Sequence, residues 1–225
     1  MNKNFDDYTE TQKRLLQTSS ELFGKYGYDG LSIRQIASAT SVNIAAIGYH
    51  FGGKKELYRE CLYYMTARVA NEFKPAFTHI EDVLNSGKSI NSDEIEKIIC
   101  TFIEKSVNLL TDETHKFRFM FYLREKFNPI LDDADVFQEK LIKPIRKVLA
   151  ELISRLTGLD VKSERMQFLL FNIIGQFYAL IISKSALLEN LGQKKMDKNF
   201  IKKISGNMLI MIKNETVLNE DIYRK

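Results

Sequence analysis

Apolar residues recur at steps of three and four along almost the whole chain, the spacing that gathers them on one face of an α-helix. Leu15, Leu16, Ser19, Leu22, Phe23 and Tyr26 mark the first such face, and Gly27 and Gly30 end it. Short helices are predicted around residues 33–39 and 44–50, interrupted by Gly52 and Gly53. A longer one should run from about Lys54 to Phe73 and close before Pro75, because proline lacks the amide hydrogen that a helix interior needs. Asn91 and Glu94 stand three apart as a capping box ahead of Ile95, Ile98, Ile99, Phe102 and Ile103.

Further helices are predicted over residues 114–127 and over the run Leu141, Ile145, Val148, Leu149, Leu152 and Leu156, with a kink or late start at Pro144. A long apolar helix follows over 163–190, ended near Gly192. Asp197 can cap a last helix carrying Ile201, Ile204, Met208 and Ile212. The fold class is therefore all-α, with about nine helices, no strand and no internal repeat.

Composition narrows this further. Only 11 glycines and 3 prolines punctuate 225 residues, too few for a sandwich or barrel, while 44% hydrophobic residues exclude a disordered chain. Cys61 and Cys100 have no metal-ligand spacing and read as buried free thiols. The polar stretch 1–12 holds three carboxylates and is no signal peptide. The most apolar stretch, 169–182, is broken by Asn172, Gly175 and Gln176 and is too short to span a bilayer. A cytoplasmic protein is expected, without membrane contact. A net charge of +4 is compatible with a nucleic-acid partner but does not require one.

Charge placement says more than charge total. No carboxylate occurs from Gly30 to Lys55, whereas Arg34, Lys54 and Lys55 lie inside that window. Residues 1–60 as a whole carry eight Lys/Arg against seven Asp/Glu. Phosphates repel Asp and Glu, so a DNA-facing surface would show this local bias. The same window has the frame of a helix-turn-helix, in which one helix braces while the next sets its N-terminal side chains in the major groove. Ala37 is the small residue that the helix crossing demands, Ser41 and Val42 fill the turn, and Ile47 anchors the second helix from below. Glycine would suit the place of Ser41 better, since a serine in a left-handed conformation costs about 1 kcal/mol.

Residues 14–60 resemble the DNA-binding domain of the TetR family of bacterial regulators, through Gly27-Tyr28, Ser32, Arg34, Ile36-Ala37, Val42-Asn43, Ala45-Ala46-Ile47, Tyr49-His50-Phe51 and Lys54. The segment VNIAAIGYHFGGKKELY is most similar to the CecR-like branch, with looser support from Arg124-Glu125, Lys143-Pro144, Gly175-Gln176, Ala186-Leu187-Leu188 and Gly192. The resemblance implies a helix-turn-helix DNA-binding domain over 1–56 and a helical effector-binding and dimerisation domain over 57–225. It also implies a repressor that a small apolar or aromatic effector releases from a pseudo-palindromic operator. DNA-contacting positions would be Ser32, Arg34, Asn43, Ala45, Ala46, Tyr49, His50 and Lys54. Ser32 and Asn43 serve equally as helix caps, and the two alanines offer only methyl contacts. Lys54, at a helix N-terminus that disfavours a cation, would be rewarded by a phosphate bound there. Many family members carry an aromatic at the place of Gly48, so base reading should differ in detail.

The rest of the chain would supply the effector pocket, with Phe102, Phe117, Met120, Phe121, Tyr122, Phe127, Met166 and Phe171 as candidate lining and Arg124 and Glu125 as polar anchors. Such aromatic stripes are more commonly core. The apolar residues Phe168, Leu169, Phe171, Ile174, Phe177, Tyr178, Ile181 and Ile182 exceed what a lone helix can bury, and a two-fold bundle of the last two helices would cover them. An enzyme is disfavoured: His50, His79 and His115 share no metal spacing, Gly52-Gly53-Lys54 lacks the Walker spacing, and nothing calls for a cofactor. A helical small-molecule binding or adaptor protein without DNA reading is the alternative; acidic residues at 34, 49 or 54 would have favoured it. The lysines at 194, 195, 198, 202 and 203 read as a solvated face.

Overall fold

The computed structural model describes residues 8–87, 90–131 and 136–214, and among these it contains nine α-helices and no strand. The polar segment before Tyr8 and the side chain of His115 lie outside the described residues. The chain forms two compact units, one of residues 1–75 with 113–144 and the other of 76–112 with 145–225.

The first unit is organised around α1 (Glu10–Tyr26) and α6 (Glu113–Phe127), which pack closely against each other. The inward face of α1 is Leu15, Leu16, Ser19, Ser20, Phe23 and Gly24. Tyr26, expected on that face, is 49% exposed, and Leu22 is half-buried. Gly24 explains the rotation. A Cβ there would collide with the Phe117 carbonyl oxygen, so only glycine lets the backbone of α6 approach α1 this closely. Arg124 of α6 then donates from Nε to the Gly24 carbonyl at 3.0 Å and from Nη2 to that of Lys25 at 3.2 Å. These carbonyls belong to the last turn of α1, where helix acceptors lack internal partners and a cation is favoured.

Between the two helices lies an aromatic cluster. Tyr58 sits edge-on to Phe23 at 4.9 Å and to Phe121 at 4.7 Å, and its hydroxyl donates to Glu125 Oε2 at 2.8 Å. Burial, reinforced by that carboxylate, pushes the Tyr58 hydroxyl well above its ordinary range. Glu125 Oε1 also accepts the Leu131 amide at 2.9 Å, so the residue ties the chain after α6 to the cluster.

α2 (Ile33–Thr40) and α3 (Ile44–Phe51) are joined by a two-bonded turn. Ser41 adopts φ 54° and ψ 40°, the left-handed conformation expected at this corner, and its amide and that of Val42 return to the carbonyls of Ser38 and Ala37. Ile36, Ala37, Ile47 and Phe51 point into the core.

α4 (Lys54–Asn85) does not close before Pro75; the proline lies inside it. The helix bond lost there belongs to the Asn71 carbonyl, and Asn71 is exposed, so water can satisfy it. In the second unit α5 (Ser92–Thr111) packs against α8 (Glu164–Asn190) and α9 (Lys198–Asn214). The expected Asn91–Glu94 capping box is present, and Asp197 accepts the Phe200 amide at 2.8 Å as predicted. Glu104 accepts from Ser205 at 3.0 Å, Glu96 pairs with Lys213 at 2.6 Å, and Lys184 donates to the Thr111 carbonyl at 2.9 Å. A π-helical turn, Gln138–Ile142, precedes α7 (Lys143–Thr157), which is where Pro144 was expected to disturb the run. The apolar stretch 169–182 is part of a 27-residue helix, so by length and composition alone α8 could cross a membrane. Cys61 is buried, with a thiol that burial pushes up, whereas Cys100 is only half-buried.

Three substitutions, two of glycine by alanine and one of serine by glycine, are compared by chemical denaturation. Gly24→Ala should cost about 2 kcal/mol or more because backbone must shift, while Gly48→Ala, with open space around the position, should gain roughly 0.5–1 kcal/mol. Ser41→Gly should stabilise by about 1 kcal/mol by relieving the left-handed strain.

Candidate nucleic-acid interface

The candidate surface is built on short-range chemistry. Ser32 and Gln35 form a reciprocal capping box: the Gln35 amide donates to Ser32 Oγ at 3.2 Å, and the Ser32 amide donates to Gln35 Oε1 at 2.8 Å. Asn43 Oδ1 accepts the Ala45 amide at 2.9 Å and starts α3. Both residues are thus engaged as caps while remaining exposed. Gly52, at φ 80°, ends α3 by donating its amide to the Gly48 carbonyl at 2.8 Å. Gly53, at φ 130°, follows, and its carbonyl accepts the Leu57 amide at 2.9 Å as α4 begins. A side chain would strain either glycine, so the pair is what allows two helices to meet in so short a turn.

Ile47 and Phe51, one turn apart, hold α3 to the core. The opposite face carries Ile44, Ala45, Gly48 and Tyr49, all exposed, with Tyr49 at 87%. Ala46 is half-buried, so of the two alanines Ala45 is the better placed to meet a base edge. His50 is exposed beside the Tyr49 ring, at 5.2 Å between centroids. Arg34 is exposed on α2. The surface between Gly30 and Lys55 is free of carboxylates by composition, and the fold turns its polar and small residues outward together.

Lys54 is half-buried, with Nζ 4.0 Å from the centroid of the Tyr28 ring. Two residues therefore join this surface that the sequence reasoning passed over. Ile44 was recoverable from its spacing with Ala45, Gly48 and Tyr49; Tyr28 was not, because its partner lies 26 positions away.

The effector-pocket candidates disperse. Phe117, Met120, Phe121, Tyr122 and Arg124 belong to the first unit, and Phe102, Met166 and Phe171 to the second. Phe121 is core within the aromatic cluster, and Tyr122 stacks on Phe137 at 3.8 Å. Phe117 and Met120 are half-buried. Arg124 donates to the α1 carbonyls, and Glu125 accepts from Tyr58 and from the Leu131 amide, so both side chains expected as polar anchors are engaged within the first unit. Phe102 and Met166 are buried, whereas Phe171 is 67% exposed and Phe127 faces solvent, so neither of the latter lines an interior. Phe171 shares an outward stripe of α8 with Phe168, Gly175, Ala179 and Ile182. Among the described residues no group of three or more His, Cys, Asp or Glu could hold a metal ion.

Comparison with known proteins bears on both parts of the chain. Residues 15–61 match the family described as bacterial regulatory proteins, tetR family. Residues 93–212, more than half of the chain, match the C-terminal domain of the HTH-type transcriptional dual regulator CecR. The CecR regulator of Shigella flexneri is 28% identical over 191 residues, covering 84% of this chain and 83% of that protein. Among solved structures, AibR in complex with isovaleryl coenzyme A and operator DNA shares the fold with a TM-score of 0.62 at 17% identity, over 90% of this chain and 97% of that one. A transcriptional regulator from Aquifex aeolicus VF5 shares it with a TM-score of 0.53 at 20% identity, over 90% and 99%. The capped, carboxylate-free helix-turn-helix and the two family matches lead to one conclusion: this chain belongs to the TetR family of DNA-binding transcriptional regulators, in its CecR-like branch.

Proposed function

We propose that the chain is a ligand-responsive repressor, acting in the cytoplasm as a homodimer on a pseudo-palindromic operator. The single observation that carries this reading is the outward face of α3, which has no Asp, Glu, Lys or Arg, exposes Ile44, Ala45, Gly48, Tyr49 and His50, and is flanked in sequence by Arg34 and Lys54. Ala45 and Ile44 approach base edges through methyl groups, thymine methyls being their natural partners. Ser32, Arg34, Asn43, Tyr49, His50 and Lys54 meet the phosphates and fix the register, so residues 1–56 act as the DNA-binding headpiece. With few donors on the helix, much of the affinity is electrostatic and salt-dependent.

Residues 57–225 provide dimerisation and effector binding. The outward stripe of α8, from Phe168 through Phe171, Gly175 and Ala179 to Ile182, is apolar, with small residues at its middle between large ones, which favours packing on the same helix of a second copy. Two headpieces related by such an axis would meet successive major grooves about 34 Å apart. An apolar effector would bind within the helical second part, with Phe102 and Met166 as lining, and would release DNA by its differential affinity for the two states. The fold neighbour solved with both isovaleryl coenzyme A and operator DNA supports a small-molecule effector; of that ligand only the short acyl group is apolar.

Operator fragments retained by this protein from its own genome serve as the probe. Lys54→Ala and Tyr49→Ala should each weaken binding by about three- to tenfold in fluorescence anisotropy, with the Lys54→Ala slope of log affinity against log salt shallower by about 0.9. Unchanged affinity and slope in both variants would remove the headpiece reading, and failure to retain any fragment would leave an adaptor without DNA reading. Phe171→Glu should turn a dimer into a monomer in sedimentation at micromolar concentration; a wild-type monomer would overturn the dimer.

A further inference from the structure

Lys54 occupies an unfavourable place on general grounds, since the first residue of a helix meets the positive end of its dipole. The structure supplies a compensation within the free protein. The ammonium lies over the face of Tyr28 at 4.0 Å, well inside the distance at which a ring quadrupole attracts a cation. That ring is itself held from behind. Phe23 stacks beside it at 6.3 Å with the rings inclined by 17°, and Tyr58 meets it edge-on at 5.2 Å. Phe23 and Tyr58 are both core residues, so Tyr28 is a fixed platform rather than a loose surface aromatic.

We propose that Tyr28 is a positioning residue for DNA binding: its ring pre-orders the Lys54 ammonium at the phosphate-facing end of α4. This rests on the reading of Lys54 as a phosphate contact and adds a second residue to it. A lysine stem has four rotatable bonds, and fixing them on the operator opposes binding. A lysine already seated on a ring has met most of that loss before DNA arrives. The ammonium carries three donors and one ring face covers only one side of it, so donors remain for phosphate oxygens. Tyr28 touches no DNA in this arrangement. It acts through Lys54, and its removal lowers affinity without changing how many phosphates are neutralised.

The test separates packing from cation attraction by keeping the shape of the ring. Tyr28→Phe should bind operator within about twofold of the parent, because the benzene face is retained. Replacing that phenylalanine by its mono-, di- and trifluorinated analogues drains the ring face step by step at nearly constant shape. Operator affinity should fall along this series, by about three- to tenfold in total, with the salt slope unchanged. In a Lys54→Met background, which keeps the stem but not the charge, the series should be flat. A flat series in the parent, or an equal fall in the Lys54→Met background, overturns the inference while leaving Lys54 as a phosphate contact. If Lys54→Met by itself changes neither affinity nor salt slope, the phosphate reading fails first and takes the platform with it. Thermal unfolding of each variant, expected to stay within about two degrees of Tyr28→Phe, confirms that the fold is common to all.

Discussion

The first unit depends on a single close approach. At Gly24 the backbone of α6 comes so near to α1 that no side chain fits between them. The contacts made by α6 around the end of α1 are built on that approach. Arg124 reaches the open carbonyls at the end of α1, Glu125 reaches the Tyr58 hydroxyl, and Phe121 closes on Phe23. The cluster in turn backs Tyr28, and Tyr28 seats Lys54. A chain of packed rings therefore runs from α6 to the first residue of α4 within one compact unit, which makes the placement of a surface lysine a property of the core.

The turn of the helix-turn-helix shows a different balance. Ser41 is the one described non-glycine residue with positive φ, and the chain accepts that strain because two amides return to the end of α2 there. The corner is sharp enough to present α3 outward while Ile47 and Phe51 hold it down. On α3, Gly48 and Ala45 leave a shallow patch beside the exposed Ile44, Tyr49 and His50. Such a surface can press close to a groove and sense methyl groups and shape, with phosphate contacts at its edges.

Local signals were legible in the sequence where a few neighbouring residues settle the geometry. The Asn91–Glu94 capping box needs only a spacing of three and formed as read, and Ser32 caps α2 as expected, with Gln35 completing a box that the sequence reading did not name. The left-handed Ser41 followed from the helix-turn-helix frame. Pro75 misled because the rule against proline concerns one hydrogen bond, and an exposed Asn71 carbonyl can find water instead. The surroundings of Phe121, Arg124 and Glu125 were illegible for the opposite reason: aromatic and charged residues on one helix look alike whether they face a ligand or a neighbouring helix. Only the partners, Phe23, Gly24 and Tyr58, distinguish the two.

By itself the sequence determined the helical class, the order of the nine described helices, the helix-turn-helix and the exclusion of carboxylates from its face, because periodicity, caps and charge bias are all carried by residues close together in the chain. Tertiary structure decided which side of α1 is buried, that Leu22 and Tyr26 yield to Ser20 and Gly24, that α8 leaves Phe171 outside, and that Lys54 rests on Tyr28. Each of those depends on backbone approach or ring geometry between residues far apart in sequence, and no pattern of hydrophobic and polar positions records a distance.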